Sequence, residues 1–116
     1  MAELHRIPGT ARMSAAVTHN GTVYLKGVTS RNGPPDIAGQ TRDVLGQIDR
    51  LLAEAGTSKE NVIQVMIWLS DIADFEAMNA VYDDWVVEGR QPVRACVQAS
   101  LASPALRVEM QVQAAV

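Results

Sequence analysis

The chain has 116 residues, 20% of them charged, and a formal net charge of −3. This length fits one compact domain, and we expect residues 1–116 to form it. The acidic balance and the 4% aromatic content argue against a surface that binds nucleic acid. The single cysteine excludes an internal disulfide, and with only two histidines it predicts no metal site.

The sequence contains no apolar run of about 18 residues, which predicts that the protein has no membrane span. Met1 is not followed by a basic and then apolar leader, which favours an unprocessed chain. We therefore expect a cytoplasmic protein.

The N-terminal part of the chain predicts three strands. A short strand is expected at 5–8, and two longer ones at 14–19 and 22–28. Between the longer strands lies Asn20-Gly21, the dipeptide that most strongly indicates a two-residue hairpin.

A helix and a central strand follow. Apolar residues recur every three or four positions from Ile37 to Ala55, Asp36 can cap the start of the helix, and Gly56 can end it. This pattern predicts an amphipathic helix that lies on a sheet. The segment 62–69 is apolar at almost every position, which is typical of a strand buried on both faces.

The second helix is predicted to start at Asp71 or Asp74 and to end before Gly89. Its apolar stripe contains Phe75, Met78, Val81, Tyr82, Trp85 and Val86. Two right-handed crossover connections place both helices on one face of the sheet. The other face then exposes apolar side chains, so we expect a homo-oligomer in which the sheet faces turn inward.

The last quarter of the chain predicts a hairpin of two strands, at 93–99 and 106–113, with Pro104 in the turn. Antiparallel pairing about the middle of this turn places Arg94 opposite Glu109, about 5 Å apart. One face of the hairpin is expected on the core and comprises Val93, Ala95, Val97, Val108, Met110 and Val112. The other face, where we expect the chemistry, comprises Arg94, Cys96, Gln98, Arg107, Glu109, Gln111 and Gln113.

Several of these segments resemble a known family. Residues 90–97 (RQPVRACV) and 108–111 (VEMQ) are similar to the closing signature of the RidA/YjgF family, the reactive-intermediate (enamine/imine) deaminases also called endoribonuclease L-PSP. Residues 71–82 resemble its second helix, and Gly27 resembles the glycine of its third strand. The resemblance covers essentially the whole chain.

The resemblance implies an α+β fold of the chorismate-mutase-like kind. The expected architecture is a mixed six-stranded sheet with two helices on one face, in the order β-β-β-α-β-α-β-β. It also implies a homotrimer with three sites in the clefts between subunits. No cofactor is expected.

By the same resemblance, Arg94 holds the substrate carboxylate and Glu109 orients the hydrolytic water. Both roles suit these groups, because a guanidinium can bind a carboxylate through two parallel hydrogen bonds and a carboxylate can transfer protons. Gly27, Asn79 and Cys96 match further pocket positions of the family. The structural alternatives are a cross-strand ion pair of Arg94 with Glu109 and a small buried side chain at Cys96. Asn79 is alternatively a solvated residue, and Gly27 one that relieves crowding in its strand.

Three positions depart from the family pattern. Met13 stands where the best-understood deaminases carry a tyrosine, Lys26 replaces a serine before Gly27, and Val28 replaces a polar residue after it. If Lys26 faces the site, it adds a second cation that suits a diacid; if it faces outward, it is an ordinary solvated lysine.

Three functions remain open from the sequence. The first is hydrolytic deamination of 2-imino acids and enamines, with Arg94 and Glu109 in the roles above. The second is a module that binds small carboxylates without turning them over. The third is an endoribonuclease or translation inhibitor, to which the acidic charge gives the least support.

Overall fold

The computed structural model describes residues 3–31 and 36–116. Its elements, in chain order, are β1 (His5–Ile7), β2 (Ala16–His19), β3 (Thr22–Leu25), β4 (Val28–Thr29), α1 (Ile37–Glu54), β5 (Val62–Leu69), α2 (Phe75–Trp85), β6 (Val93–Gln98) and β7 (Val108–Ala115). The predicted order of elements is confirmed. The strand expected at 22–28 is interrupted at Lys26 and Gly27, so the described residues form seven strands instead of six.

Local signals in the sequence act as predicted. Asn20 and Gly21 both have positive φ, 50° and 78°, as a hairpin turn of two residues requires. Asp36 caps α1 by accepting a hydrogen bond from the Gly39 amide. Gly56, with φ of 87°, follows the last turn in the left-handed conformation that ends many helices.

The strands form one sheet in the order β1-β2-β3-β7-β5-β6, with β4 also beside β7. Neighbouring strands are antiparallel except β5 and β6, which are parallel. α2 connects this parallel pair, because two parallel strands need a long crossover connection. β6 therefore lies at one edge of the sheet.

The predicted hairpin of β6 and β7 is wrong. β5 lies between these two strands, so Arg94 and Glu109 are not cross-strand partners. Arg94 is paired with Val65, and Glu109 is paired with Trp68. Because side chains alternate between the faces of a strand, Val65 and Trp68 lie on opposite faces of β5, and so do the residues paired with them.

The assignment of faces is correct for β7 and wrong for β6. Val108, Met110 and Val112 of β7 are fully buried beneath the helices. On β6, Val93 and Val97 are 66% and 44% exposed on the uncovered face. The sequence pattern of β6 alternates as expected, but its parallel pairing with β5 turns the polar set, including Arg94, toward α2.

Both helices cover the same face of the sheet and form the core with it. The buried apolar residues of this core come from all parts of the chain and include Leu25, Val44, Ile48, Leu52, Val65, Ile67, Leu69, Met78 and Met110. Trp85 of α2 donates a hydrogen bond of 2.9 Å to Asp49 of α1. This bond joins the two helices at the rim of the core.

Both of the predicted aspartates lie just before α2, and only Asp71 caps a turn there with its side chain. Asp71 accepts a hydrogen bond from the Ala73 amide and begins a short 3-10 turn at Ile72–Asp74. Asp74 is the residue before the first residue of α2. Neither helix of the described chain is long and apolar enough to cross a membrane.

Candidate functional site

Arg94 lies on the outermost strand and faces α2. Its NH1 group donates a hydrogen bond of 2.8 Å to the Asn79 side-chain oxygen. The centre of the guanidinium lies 4.7 Å from the centroid of the Tyr82 ring and 5.8 Å from that of Phe75. Arg94 nevertheless remains exposed. The result is a cation that α2 orients and that solvent can still reach.

Cys96 belongs to the same group of side chains. It lies two residues after Arg94 on the helix side of β6 and is half-buried. Burial raises the pKa of the Cys96 thiol, and the nearby Arg94 charge only partly opposes that rise. The thiol form is therefore favoured, which agrees with a small packed side chain better than with a nucleophile.

Glu109 lies on the uncovered face, next to a β-bulge. Tyr24 pairs with Gln113 and Val28 pairs with Met110, so the chain from β3 to β4 contains one residue more than β7 does over the same stretch. Such a bulge re-aims the chain locally. Gly27 lies within it, directly beside the Glu109 carboxylate.

Gly27 supplies space instead of an unusual backbone angle. A Cβ atom built at Gly27 would overlap Glu109 Oε2. Only glycine leaves the carboxylate where it is. The structure thus brings together Gly27 and Glu109, two of the predicted site residues, and assigns a physical reason to the glycine.

The predicted site residues therefore form two groups within one chain. Arg94, Asn79 and Cys96 lie on the helix side of the edge strand, and Gly27 and Glu109 lie on the uncovered side of β7. The strands of the two groups are separated by β5, at about 4.8 Å per strand spacing. Arg94 and Glu109 cannot act on one small molecule within a single chain.

Lys26 and Met13 belong to neither group. Lys26 lines a cavity of about 330 Å³ beside α1, together with Arg31, Arg50 and Glu54. Met13 is 50% exposed, on the loop between β1 and β2. Within one chain, Lys26 therefore does not add a second cation beside Arg94.

Arg107, predicted on the polar face of the hairpin, instead forms an ion pair before β7 begins. Its Nε and NH2 groups bind the two carboxylate oxygens of Asp74 at 3.2 and 2.8 Å. The buried Gln40 of α1 accepts a hydrogen bond from the Arg107 amide and donates one to the Ala105 carbonyl. Arg107 thus attaches the β6–β7 connection to the helices.

The apolar stripe of α2 predicts Tyr82 and Phe75 as packing residues and by itself gives neither a link to Arg94. The signal was present in the helix. Phe75, Asn79 and Tyr82 are spaced by four and three residues, so they lie on one face of α2. Among the described residues, no group of three or more His, Cys, Asp or Glu side chains could hold a metal ion.

Comparisons with known proteins agree with this architecture. Residues 3–116 match the family model described as Endoribonuclease L-PSP. The chain is 44% identical over 111 residues to the RutC family protein YoaB of Escherichia coli (strain K12), covering 96% of both chains. It is 35% identical over 109 residues to a 3-aminoacrylate deaminase, RutC, of Acinetobacter baylyi, covering 89% of this chain and 86% of that protein.

A solved structure is also similar to this chain. The crystal structure of a YjgF-family member from Neisseria meningitidis superimposes with a TM-score of 0.95 at 46% identity, covering 97% of this chain and 94% of the other. The predicted α+β fold class and the predicted resemblance are confirmed. The chain belongs to the Endoribonuclease L-PSP family, whose members include the YjgF and RutC proteins.

Proposed function

We propose that the protein hydrolyses 2-imino acids, and the enamines that tautomerise to them, to 2-oxo acids and ammonia. The observation that carries this proposal is the Arg94 guanidinium, which is oriented by α2 and accessible. Asn79 uses one of its five N–H donors. Enough donors remain in the same plane to bind a carboxylate through two parallel hydrogen bonds.

Glu109 is the proposed proton-transfer group. The oxygen of a water molecule adds to the carbon of the C=N bond, and Glu109 takes a proton from that water and passes one to the nitrogen. The hydroxyl proton of the resulting carbinolamine then passes through Glu109 to the nitrogen, and ammonia leaves as the C–N bond breaks and the C=O bond forms. One imine and one water thereby give one 2-oxo acid and one ammonia, and a carboxylate suffices as the acid and base.

We propose that the complete site is formed between two subunits of a homotrimer. Arg94 and Glu109 lie on opposite faces of the sheet, so a common substrate requires Arg94 of one subunit and Glu109 of the next. The exposed apolar side chains of the uncovered face support such an assembly. They include Tyr24, Val93 and Val97, each at least 44% exposed.

The activity is tested by generating an imino acid in situ with an amino-acid oxidase and following release of the 2-oxo acid. We expect the native protein to accelerate release above the spontaneous rate, and Arg94→Ala and Glu109→Gln to abolish the acceleration. Equal rates with native protein and buffer would refute the deaminase proposal.

Mixing the two inactive variants tests the shared site. If subunits exchange after mild denaturation and refolding, about a quarter of the interfaces in an equal mixture combine an intact Arg94 with an intact Glu109. We expect a corresponding fraction of the activity to return. No recovery, in mixtures shown by mass spectrometry to contain both chains, would argue against a site formed between subunits.

Binding of small carboxylates without turnover is the second candidate. It is favoured by one observation: the arginine group is complete within a single chain, whereas Glu109 is not part of it. This function would be supported over deamination if calorimetry detects binding of a 2-oxo acid and the protein does not accelerate release of that acid from the imino acid.

A further inference from the structure

The Arg94 guanidinium lies 4.7 Å from the centroid of the Tyr82 ring. We infer that Tyr82 is a positioning residue for Arg94, which supports the flat face of the cation so that its hydrogen-bonding edge is ready for a carboxylate. The inference rests on the proposed function, because it assigns Arg94 the task of binding the substrate.

Two contacts constrain the guanidinium in different directions. The Tyr82 ring lies against it at 4.7 Å from the centroid, which restrains the plane of the cation by a cation–π interaction. The Asn79 oxygen accepts a hydrogen bond from NH1 at 2.8 Å, which restrains rotation within that plane. Together the contacts involve the Tyr82 ring and only one of the five N–H donors of the guanidinium.

The ring itself is held rigidly. Tyr82 is only 5% exposed, and its ring packs against that of Trp85 with centroids 5.7 Å apart and planes tilted by 49°. A fixed ring is required here, because a mobile one would not restrict the long Arg94 side chain. Pre-arranged groups bind more tightly since less freedom is lost when the ligand arrives.

The aromatic ring, and not the hydroxyl group, carries this role. Cation–π attraction depends on the face of the ring, which phenylalanine retains. Phe75 lies farther from the cation, at 5.8 Å, and is expected to contribute less. The inference therefore ranks three substitutions: Tyr82→Leu has the largest effect on Arg94, Phe75→Leu a smaller one, and Tyr82→Phe almost none.

The first test observes Arg94 directly and does not depend on any activity. A guanidinium above an aromatic face has its N–H protons shifted upfield by the ring current. We expect the Arg94 Nε–H resonance of the native protein and of Tyr82→Phe to show this shift, and Tyr82→Leu to lose it. An unchanged resonance in Tyr82→Leu would overturn the inference, whatever the protein's function proves to be.

The second test measures binding of pyruvate by calorimetry. We expect Tyr82→Leu to weaken binding about tenfold and Tyr82→Phe to remain within about twofold of the native protein. Leu25→Ala is the control, because it removes a buried core side chain and should destabilise the fold. Leu25 lies on β3, which β7 and β5 separate from the strand of Arg94. Equal weakening by Leu25→Ala and Tyr82→Leu would show a general loss of structure and overturn the inference.

The two proposals fail in different ways. If the native protein shows the Nε–H shift and Tyr82→Leu loses it, but the native protein does not bind pyruvate, the proposed function is refuted. The placement of Arg94 by Tyr82 then still stands. Tight binding by the native protein, equally tight in Tyr82→Leu, would refute the positioning role and leave the proposed function standing.

Discussion

Replacement of Arg94 by alanine separates a ligand-binding guanidinium from one that only holds the structure together. Within the described chain its recorded contacts are one hydrogen bond to Asn79 and the stacking on Tyr82 and Phe75. An exposed cation–π contact contributes about 0.5–1 kcal/mol and a hydrogen bond about 1 kcal/mol. We therefore expect Arg94→Ala to lower the free energy of unfolding by about 1–2 kcal/mol.

The effect of Arg94→Ala on the free energy of binding a carboxylate should be much larger than its effect on stability. Truncation of one partner of a hydrogen-bonded charge pair costs about 2–5 kcal/mol of binding free energy. A loss of about 3 kcal/mol corresponds to more than a hundredfold weaker binding of a 2-oxo acid. Arg94→Lys keeps the charge but not the planar pair of donors, so its affinity should lie between those of the native protein and Arg94→Ala.

Urea unfolding and calorimetric titration with pyruvate measure the two quantities on the same samples. A loss of about 3–5 kcal/mol in unfolding free energy is expected when a buried ion pair is broken. Such a loss in Arg94→Ala, or unchanged pyruvate affinity in a folded Arg94→Ala protein, would refute the reasoning.

Three further predictions concern other residues. Gly27→Ala should displace the Glu109 carboxylate and abolish deamination while changing the urea midpoint little, because the overlapped atom ends a flexible side chain; a fully active variant would contradict this. The pH profile of Cys96 alkylation should have its midpoint above the thiol's ordinary 9.0, because burial raises the pKa. The midpoint should rise further in Arg94→Ala, and a fall would contradict the assignment. Burial alone raises the pKa of Asp43, but hydrogen bonds led by one from a backbone amide outweigh it and hold the pKa below 3.8. The ionised Asp43 therefore stabilises the fold fully at any pH above its pKa in the unfolded chain. This contribution disappears as the pH falls through its lower pKa in the folded protein. Asp43→Asn should thus destabilise the protein to urea at about pH 6 and by less at about pH 3, and an effect that grew on acidification would contradict the sign.

The local elements of the fold could be predicted because their causes are local. The positive φ values at Asn20 and Gly21, the Asp36 cap and the helix periodicities each depend on residues a few positions apart. The identity of the site residues was likewise predicted from short segments, and Arg94 and Asn79 do meet in the structure. The partner of Arg94 was predicted wrongly, since that depended on strand order.

The amino-acid sequence by itself determined which segments form strands and helices, and which side chains share a face of each. Alternation of side chains along β6 places Arg94 and Cys96 together whatever strand lies beside them. This alternation does not determine which strand lies beside β6, because the backbone hydrogen bonds that join strands are the same for every residue.

Only the tertiary structure decided that β5 separates β6 from β7, and therefore that Arg94 and Glu109 face opposite sides of the sheet. The crossover through α2 and the burial of β5 under both helices select that order, through contacts between residues far apart in the chain. The same packing brings the Tyr82 ring against Arg94 and leaves Gly27 beside Glu109. These distant contacts place two residues that were predicted as neighbours on opposite faces of one chain.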